Sequence, residues 1–238
     1  MRKSTRKQVR SKGAVPTPSG PVVAEATLLS GTAYKLIMDA LFSGRIQTGA
    51  FVSQGELVEL LGVPIQPLRD ALRVLEVEGY VTIHPRAGIE FVSADIELIR
   101  STYQFRTIIE CAAARNYAEK APVENINALL ADHLAFINDI EKSGIGKNGL
   151  MRLHEIEMKF HGDLIRILGN PLVESTERRL QNYTSLILTD RPETIPLILR
   201  TLREHIKVLE ACRDRNVDLA AAEMAAHLTL AMHRAMGL

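Results

Sequence analysis

Between Gly31 and Ser43 apolar residues recur at helical spacing, with Tyr34, Ile37, Met38 and Leu41 on one face and Gly44 ending the run. Gly49 predicts a turn, and Ala50–Phe51–Val52 a brief strand. Ser53 followed by Glu56 is a capping box that opens a second helix, which directs Leu57, Leu60 and Leu61 inward and stops at Gly62. A third helix is predicted from Ile65 to Glu78, with Leu68, Leu72 and Leu75 on one side. Tyr80 to His84 alternates like a strand, Pro85–Arg86–Ala87–Gly88 supplies a turn, and Ile89 to Val92 returns as a second strand. Three helices with a tight turn between the second and third, followed by a hairpin, make a winged helix-turn-helix.

After Val92 strand signals nearly vanish. Helical periodicity predicts six helices, at about 95–120, 123–142, 147–168, 171–189, 193–213 and 217–236, with joints at Pro122, Gly144–Gly146, Gly169–Asn170, Pro192 and Asn216. The fold expected is mainly α: a winged helix-turn-helix over residues 30–93, then an all-helical bundle of about six antiparallel helices over 94–238.

Charge changes this picture in one place. Of 238 residues, 29 are Lys or Arg and 28 are Asp or Glu, a net charge of +1 that looks unlike a nucleic-acid protein. That average conceals a segregation: residues 1–29 carry +5, and residues 30–93 and 94–238 carry −2 each. With Pro16, Pro18, Gly20 and Pro21 in it, segment 1–29 reads as a disordered basic tail, suited either to solubility or to phosphate contact. No apolar region follows its basic start, which disfavours a signal peptide, and its prolines disfavour the amphipathic helix of a transit peptide. The longest stretch without charge, Gly13 to Ala24, is too short and too broken to span a membrane. Cys111 and Cys212 form no pairing motif, so a reducing cytoplasm is the expected location.

The run from Leu60 to Gly79, with Leu61–Gly62–Val63–Pro64 at its start and Leu68–Arg69–Asp70–Ala71–Leu72–Arg73 at its centre, resembles the GntR family of bacterial transcription regulators, whose pattern there is LGVSRTPVREALRxLExxG. Ser43–Gly44–Arg45–Ile46 and Gly49 are similar to the SGxxxPG segment upstream. Arg106 to Glu110 resembles the RxxLE opening of the FCD effector domain of the FadR subfamily, and Phe160–His161 with Gly169–Asn170 its FHxxLxxxxGN stretch. The resemblance implies a ligand-responsive repressor, although the sequence is equally compatible with an activator. Such a protein is a homodimer that places two recognition helices on a palindromic operator in double-stranded DNA. It also implies a small-molecule carboxylate effector bound in the helical domain.

The DNA contacts expected are Ile65, Gln66, Arg69 and Arg73 on the third helix, Arg86 and Gly88 at the wing, and Arg45 upstream. Arg69 matches the family's operator-contacting arginine; Arg73 suits a phosphate or a solvated helix face. Gly88 is expected to let the wing backbone approach DNA closely. Pro64–Ile65–Gln66 stands where the family has Ser-Arg-Thr, so a cap and a guanine-binding arginine are missing, and Ile65 offers at most apolar contact to a thymine methyl. Gly55 replaces a further arginine of some relatives. The basic tail is expected to compensate with phosphate contacts.

Seven histidines occur. Glu157 and His161 lie at i and i+4 on one helix face, and spacing alone reads them as a hydrogen-bonded core pair. The resemblance adds His205 and His227 and implies a site for a divalent transition metal (Zn, Ni, Mn or Fe) in which Glu157 stands in place of the family's Asp. His84, His133 and His233 read as surface or packing residues. Arg106 is expected to pair with an effector carboxylate or, at i,i+4, with Glu110. A metal-dependent hydrolase or lyase is the competing class. Against it, Met158 stands where the second His of His154–Glu155–Ile156–Glu157–Met158 would complete HExxH, and no nucleophile or phosphate-loop motif is present.

Overall fold

A computed structural model describes residues 21–189, 191 and 194–238. The first helix, α1 (Pro21–Phe42), begins ten residues earlier than the apolar periodicity predicts, so residues 21–29, assigned above to the tail, have helical backbone. Proline is accommodated in a first helical turn because its missing N–H would have no partner there. The disorder expected over residues 1–29 therefore does not hold for 21–29, while residues 1–20, with the six basic residues of the tail, lie outside the described residues.

The remaining N-terminal elements are β1 (Phe51–Val52), α2 (Gln54–Leu61), α3 (Ile65–Val77), β2 (Val81–His84) and β3 (Gly88–Phe91). Ser53 Oγ accepts the Glu56 N–H at 3.2 Å while Glu56 Oε2 accepts the Ser53 N–H at 2.7 Å, completing the capping box. Gly62 ends α2 in the left-handed region. Pro64 caps α3 by position only, with no side-chain bond. Leu57 is buried, but Leu60, expected to point inward, is 44% exposed. The strands form one antiparallel sheet in the order β1-β3-β2, pairing Phe51 with Glu90 and Val81 with Phe91. Ile37 and Leu41 of α1, Leu68, Leu72 and Leu75 of α3, and the sheet residues Ile89 and Phe91 share one core.

The bundle comprises α4 (Ile96–Lys120), α5 (Val123–Ser143), α6 (Gly149–Arg166), α7 (Pro171–Leu188), α8 (Ile195–Arg213) and α9 (Val217–Met236). Each lies within about two residues of its expected bounds, the usual uncertainty of a helix end. α4 packs along α9, α9 against α8, and α5 against α8. Ile99, Phe160, Leu164, Val208, Met224 and Leu228 belong to the core so formed. The two domains meet through α7: Leu186 joins the N-terminal core, and the Tyr183 hydroxyl donates to the Glu78 carbonyl at 2.8 Å. Tyr80 stacks obliquely on Tyr183, ring centres 5.0 Å apart. Among the described residues no helix is long and apolar enough to cross a membrane.

Candidate metal centre and nucleic-acid interface

Four helices of the bundle direct imidazoles to one buried point. His161 (α6), His205 (α8) and His227 (α9) each bring a ring nitrogen within 4.8 Å of the others. Glu157, one turn before His161, sets Oε2 at 3.6 Å from His161 Nε2 and Oε1 at 3.8 Å from His205 Nε2. Oε1 is sealed from solvent and accepts no hydrogen bond. His133 of α5, read above as a surface or packing residue, is fully buried and belongs to the cluster, its Nε2 3.2 Å from His205 Nδ1. Phe160 stacks on the His205 ring at 3.9 Å between centres, fixing its plane.

Hydrogen-bond partners fix the tautomers. The Leu129 carbonyl, 2.7 Å from His133 Nδ1, can only accept, so Nδ1 carries the proton. Burial lowers the His133 pKa, leaving the ring neutral and its Nε2 an acceptor for the His205 Nδ1–H. Burial, then the neighbouring imidazoles, push His205 well below its usual range, so its Nε2 keeps a bare lone pair. His227 is also lowered by burial and donates its Nδ1–H to Glu204 Oε2 at 3.0 Å. Glu204 is held by Arg234 as well; burial raises its pKa, but His227 and Arg234 together bring it to about 2. Two bare lone pairs, His205 Nε2 and His227 Nε2, therefore face each other at 3.3 Å with no proton to share. That is close to the spacing of two donors on one tetrahedral ion with bonds of ~2.0–2.1 Å.

His161 differs. Its Nδ1 bonds Glu110 Oε2 at 2.5 Å, and although burial lowers its pKa, the Glu110 carboxylate outweighs this and raises it to about 9. Glu110 in turn is raised by burial, but Arg106 and His161 hold it at about 2. The donor set fits a divalent transition metal: three imidazoles and a carboxylate oxygen, with each imidazole Nδ1 tied to a separate outer partner.

Arg106, fully within the bundle, is already engaged. Its Nε donates to Glu110 Oε1 at 2.6 Å, one terminal nitrogen reaches Thr184 Oγ1 at 3.3 Å, and the other lies 3.2 Å from the His161 ring. Of the two pairings left open for it, the i,i+4 bond to Glu110 is present. His154 is exposed and outside the cluster, and His84 bonds Glu90 at 2.8 Å on the sheet. His133 was legible, since it falls on the apolar stripe of α5 with Ile126, Leu129, Leu130 and Ile137. Glu110, Glu204 and Glu177 are ordinary-looking helix acids, and only the tertiary packing reveals their burial.

On the N-terminal domain, Ile65, Arg69 and Arg73 form an exposed i, i+4, i+8 stripe along α3, with Gln66 beside it. Arg69 Nε is steadied by Gln54 Oε1 at 2.8 Å, Gln66 bonds Asp70, and Arg73 lies 3.6 Å from Asp70. Arg86, at positive φ, occupies the exposed tip of the β2–β3 turn, and Arg45 is exposed after α1 beside Ser43. Gly88 has a nearer reason than DNA approach: at φ +158° a Cβ there would stand 2.7 Å from the Phe51 ring and 2.9 Å from the Val52 carbonyl. This glycine permits strand pairing.

The helical domain matches the FCD domain over residues 101–230, and the N-terminal domain matches the bacterial regulatory proteins of the gntR family over 29–91. The chain belongs to the GntR family. It is a DNA-binding transcription regulator of GntR type with an FCD domain, and its relatives are regulators rather than enzymes. It is 26% identical over 203 residues to the HTH-type transcriptional regulator YdhC of Bacillus subtilis, covering 82% of this chain and 85% of that one. With the HTH-type transcriptional repressor RspR of Escherichia coli it shares 25% over 201 residues, 82% and 83% of the two chains. The solved structure of E. coli McbR/YncC superposes with a TM-score of 0.66 at 15% identity, covering 88% and 97%, a likeness of fold.

Proposed function

We propose that this GntR regulator is a cytoplasmic homodimeric repressor whose FCD domain holds a divalent transition metal at Glu157, His161, His205 and His227 and releases DNA in response to a small organic acid. The observation that carries the metal reading is the pair of bare Nε2 lone pairs 3.3 Å apart, beside the orphaned Glu157 Oε1. Buried donors left facing one another repel, and a cation between them removes the cost. When bound, the metal supplies a Lewis-acidic anchor for a carboxylate. Glu110, His133 and Glu204 hold the three imidazoles in the tautomer and orientation that point Nε2 inward. Arg106 borders the same space, its charge balanced by Glu110, and offers its remaining N–H groups to the effector.

Homodimerisation is supported by an exposed apolar strip on the bundle: Ile108 is 70% and Phe105 41% exposed on α4, next to a groove that Leu228 and Met232 of α9 line. Two copies joined there present two α3 helices to a palindromic operator. In this reading Ile65, Gln66 and Arg69 meet base edges, while Arg73, Arg86 and Arg45 meet phosphates, and Gly88 shapes the wing. The repressor direction follows the relative RspR. An effector shifts DNA affinity only by its differential affinity for the two domain arrangements, and α7, which touches both Arg106 and the N-terminal domain, links them. The test is His205→Ala: metal content measured by emission spectrometry falls from one ion per chain to background, with helical content retained. Stoichiometric metal in that variant refutes the site.

A further inference from the structure

Glu177 of α7 is 2% exposed, and neither of its carboxylate oxygens has a hydrogen-bond partner. Gln181, one turn on, is near enough to ease its charge without making a bond of normal geometry. A buried carboxyl with both oxygens idle is uncommon, because desolvating such a group without a partner is costly. Its location is informative. Glu177, Gln181 and Thr184 stand at i, i+4 and i+7 on one face of α7, and Thr184 Oγ1 is the atom that meets Arg106. The groups acting on Glu177 are Glu110, Arg106 and His161, the outer wall of the histidine cluster. Burial, then the Glu110 charge, raise it to about 8 despite the opposing pull of Arg106.

The charges of that wall are otherwise matched. Arg106 is paired with Glu110, and His161 lies between Glu110 and Glu157, two cations against two carboxylates. Below a pH of about 8 Glu177 is a neutral acid: a hydroxyl donor finds its unpartnered carbonyl oxygen and an ammonium group favours its ionised form, whereas a second ligand carboxylate finds no uncommitted cation here. We infer that Glu177 is the specificity residue of the effector site, accepting a hydrogen bond from a hydroxyl or ammonium group, so that the effector is a hydroxy or amino acid rather than a plain carboxylic acid. This rests on the effector reading above and adds the chemistry of the ligand's second group. Capture of that donor acts directly on α7, the helix that also docks the DNA-binding domain through Tyr183.

The test uses matched acids on the zinc-loaded full chain, read by calorimetry and thermal shift: succinate, malate and aspartate, with propionate, lactate and alanine as a shorter set. The donor-bearing members bind the wild type about ten-fold or more tighter than the plain acid, as expected for a hydrogen bond to a charged or buried acceptor. Whether malate or aspartate leads tells hydroxyl from ammonium. In Glu177→Met, an apolar replacement of similar length that keeps the fold, the preference collapses while zinc stays stoichiometric. Glu177→Gln, which retains one acceptor oxygen, keeps part of it. Equal binding of plain and donor-bearing acids, or a preference that survives in Glu177→Met, overturns the role of Glu177 and leaves the effector reading standing. No binding by any of the six overturns the effector reading, and this inference with it.

Discussion

Replacing His133 with Phe tests whether an outer imidazole controls the metal centre. His133 is fully buried, packs edge-on against Phe160, and forms two bonds: Nδ1–H to the Leu129 carbonyl at 2.7 Å and Nε2 to His205 Nδ1–H at 3.2 Å. Phenylalanine keeps the ring and removes both. The Leu129 carbonyl retains its helix bond, so the loss falls on His205, whose buried Nδ1–H is left without an acceptor at a cost of about 1–3 kcal/mol. His205 then has no reason to keep its proton on Nδ1, and the other tautomer, with the proton on Nε2, blocks the inward lone pair. Loss of an outer partner of this kind lowers metal affinity about 10–100-fold. Zinc competition against a chromogenic chelator measures the affinity, and long-range proton–nitrogen correlation on histidine-labelled, metal-free protein reads the tautomer. Unchanged affinity together with an unchanged His205 tautomer refutes the control of His205 by His133.

Three further outcomes are expected. Metal uptake by the wild type expels the proton that His161 retains up to about pH 9, so the logarithm of the association constant rises by about one per pH unit between pH 6 and 8; a flat profile by competition titration contradicts the His161–Glu110 pairing. Glu177 has a folded pKa of about 8, above its usual 4.5, so between those values the native state binds more protons than the unfolded state and stability falls as pH rises. Glu177→Met escapes this, and its advantage over wild type in urea denaturation grows by about 3 kcal/mol from pH 5 to pH 8; a pH-independent difference is the contrary result. Removing residues 1–20 weakens operator binding and flattens its salt dependence, each lost phosphate contact reducing the slope by about 0.9. Unchanged affinity and slope show that the tail makes no such contact.

Helix-forming periodicity and turn residues carried the architecture, because each bundle helix has both an apolar stripe and a Gly, Pro or Asn joint. The start of α1 is hidden in the sequence because Pro21 has the look of a breaker, although a helix tolerates proline in its first turn. At the candidate metal centre, spacing joins Glu157 to His161 on one helix and goes no further, since His205 and His227 come from two other helices and only the family resemblance links them. A histidine on an apolar stripe looks like packing, and His133 both packs and directs a proton. Glu177 carried no signal at all. Its neighbours along the chain are polar, with Ser175, Arg178 and Arg179 exposed, and its burial results from α7 lying against α4 and α6.

The seat of Tyr183 has a mechanical consequence. Its hydroxyl holds the carbonyl of Glu78, the residue that ends α3, and lies so close to Gly79 that a Cβ there would be 2.6 Å away. The bundle thus grips the reading helix by its far end, while Ile65 and Gln66 sit at the other end of 13 residues. At 1.5 Å per residue that is a lever of about 20 Å, so a tilt of about 3° at the tyrosine moves the N-terminal tip of α3, proposed above to meet base edges, by about 1 Å. Hydrogen bonds to base edges lose their geometry over that distance. Under the proposed function an effector has no need to unfold or displace the DNA-binding domain: a small turn of α7 would be enough to put two paired reading heads out of register.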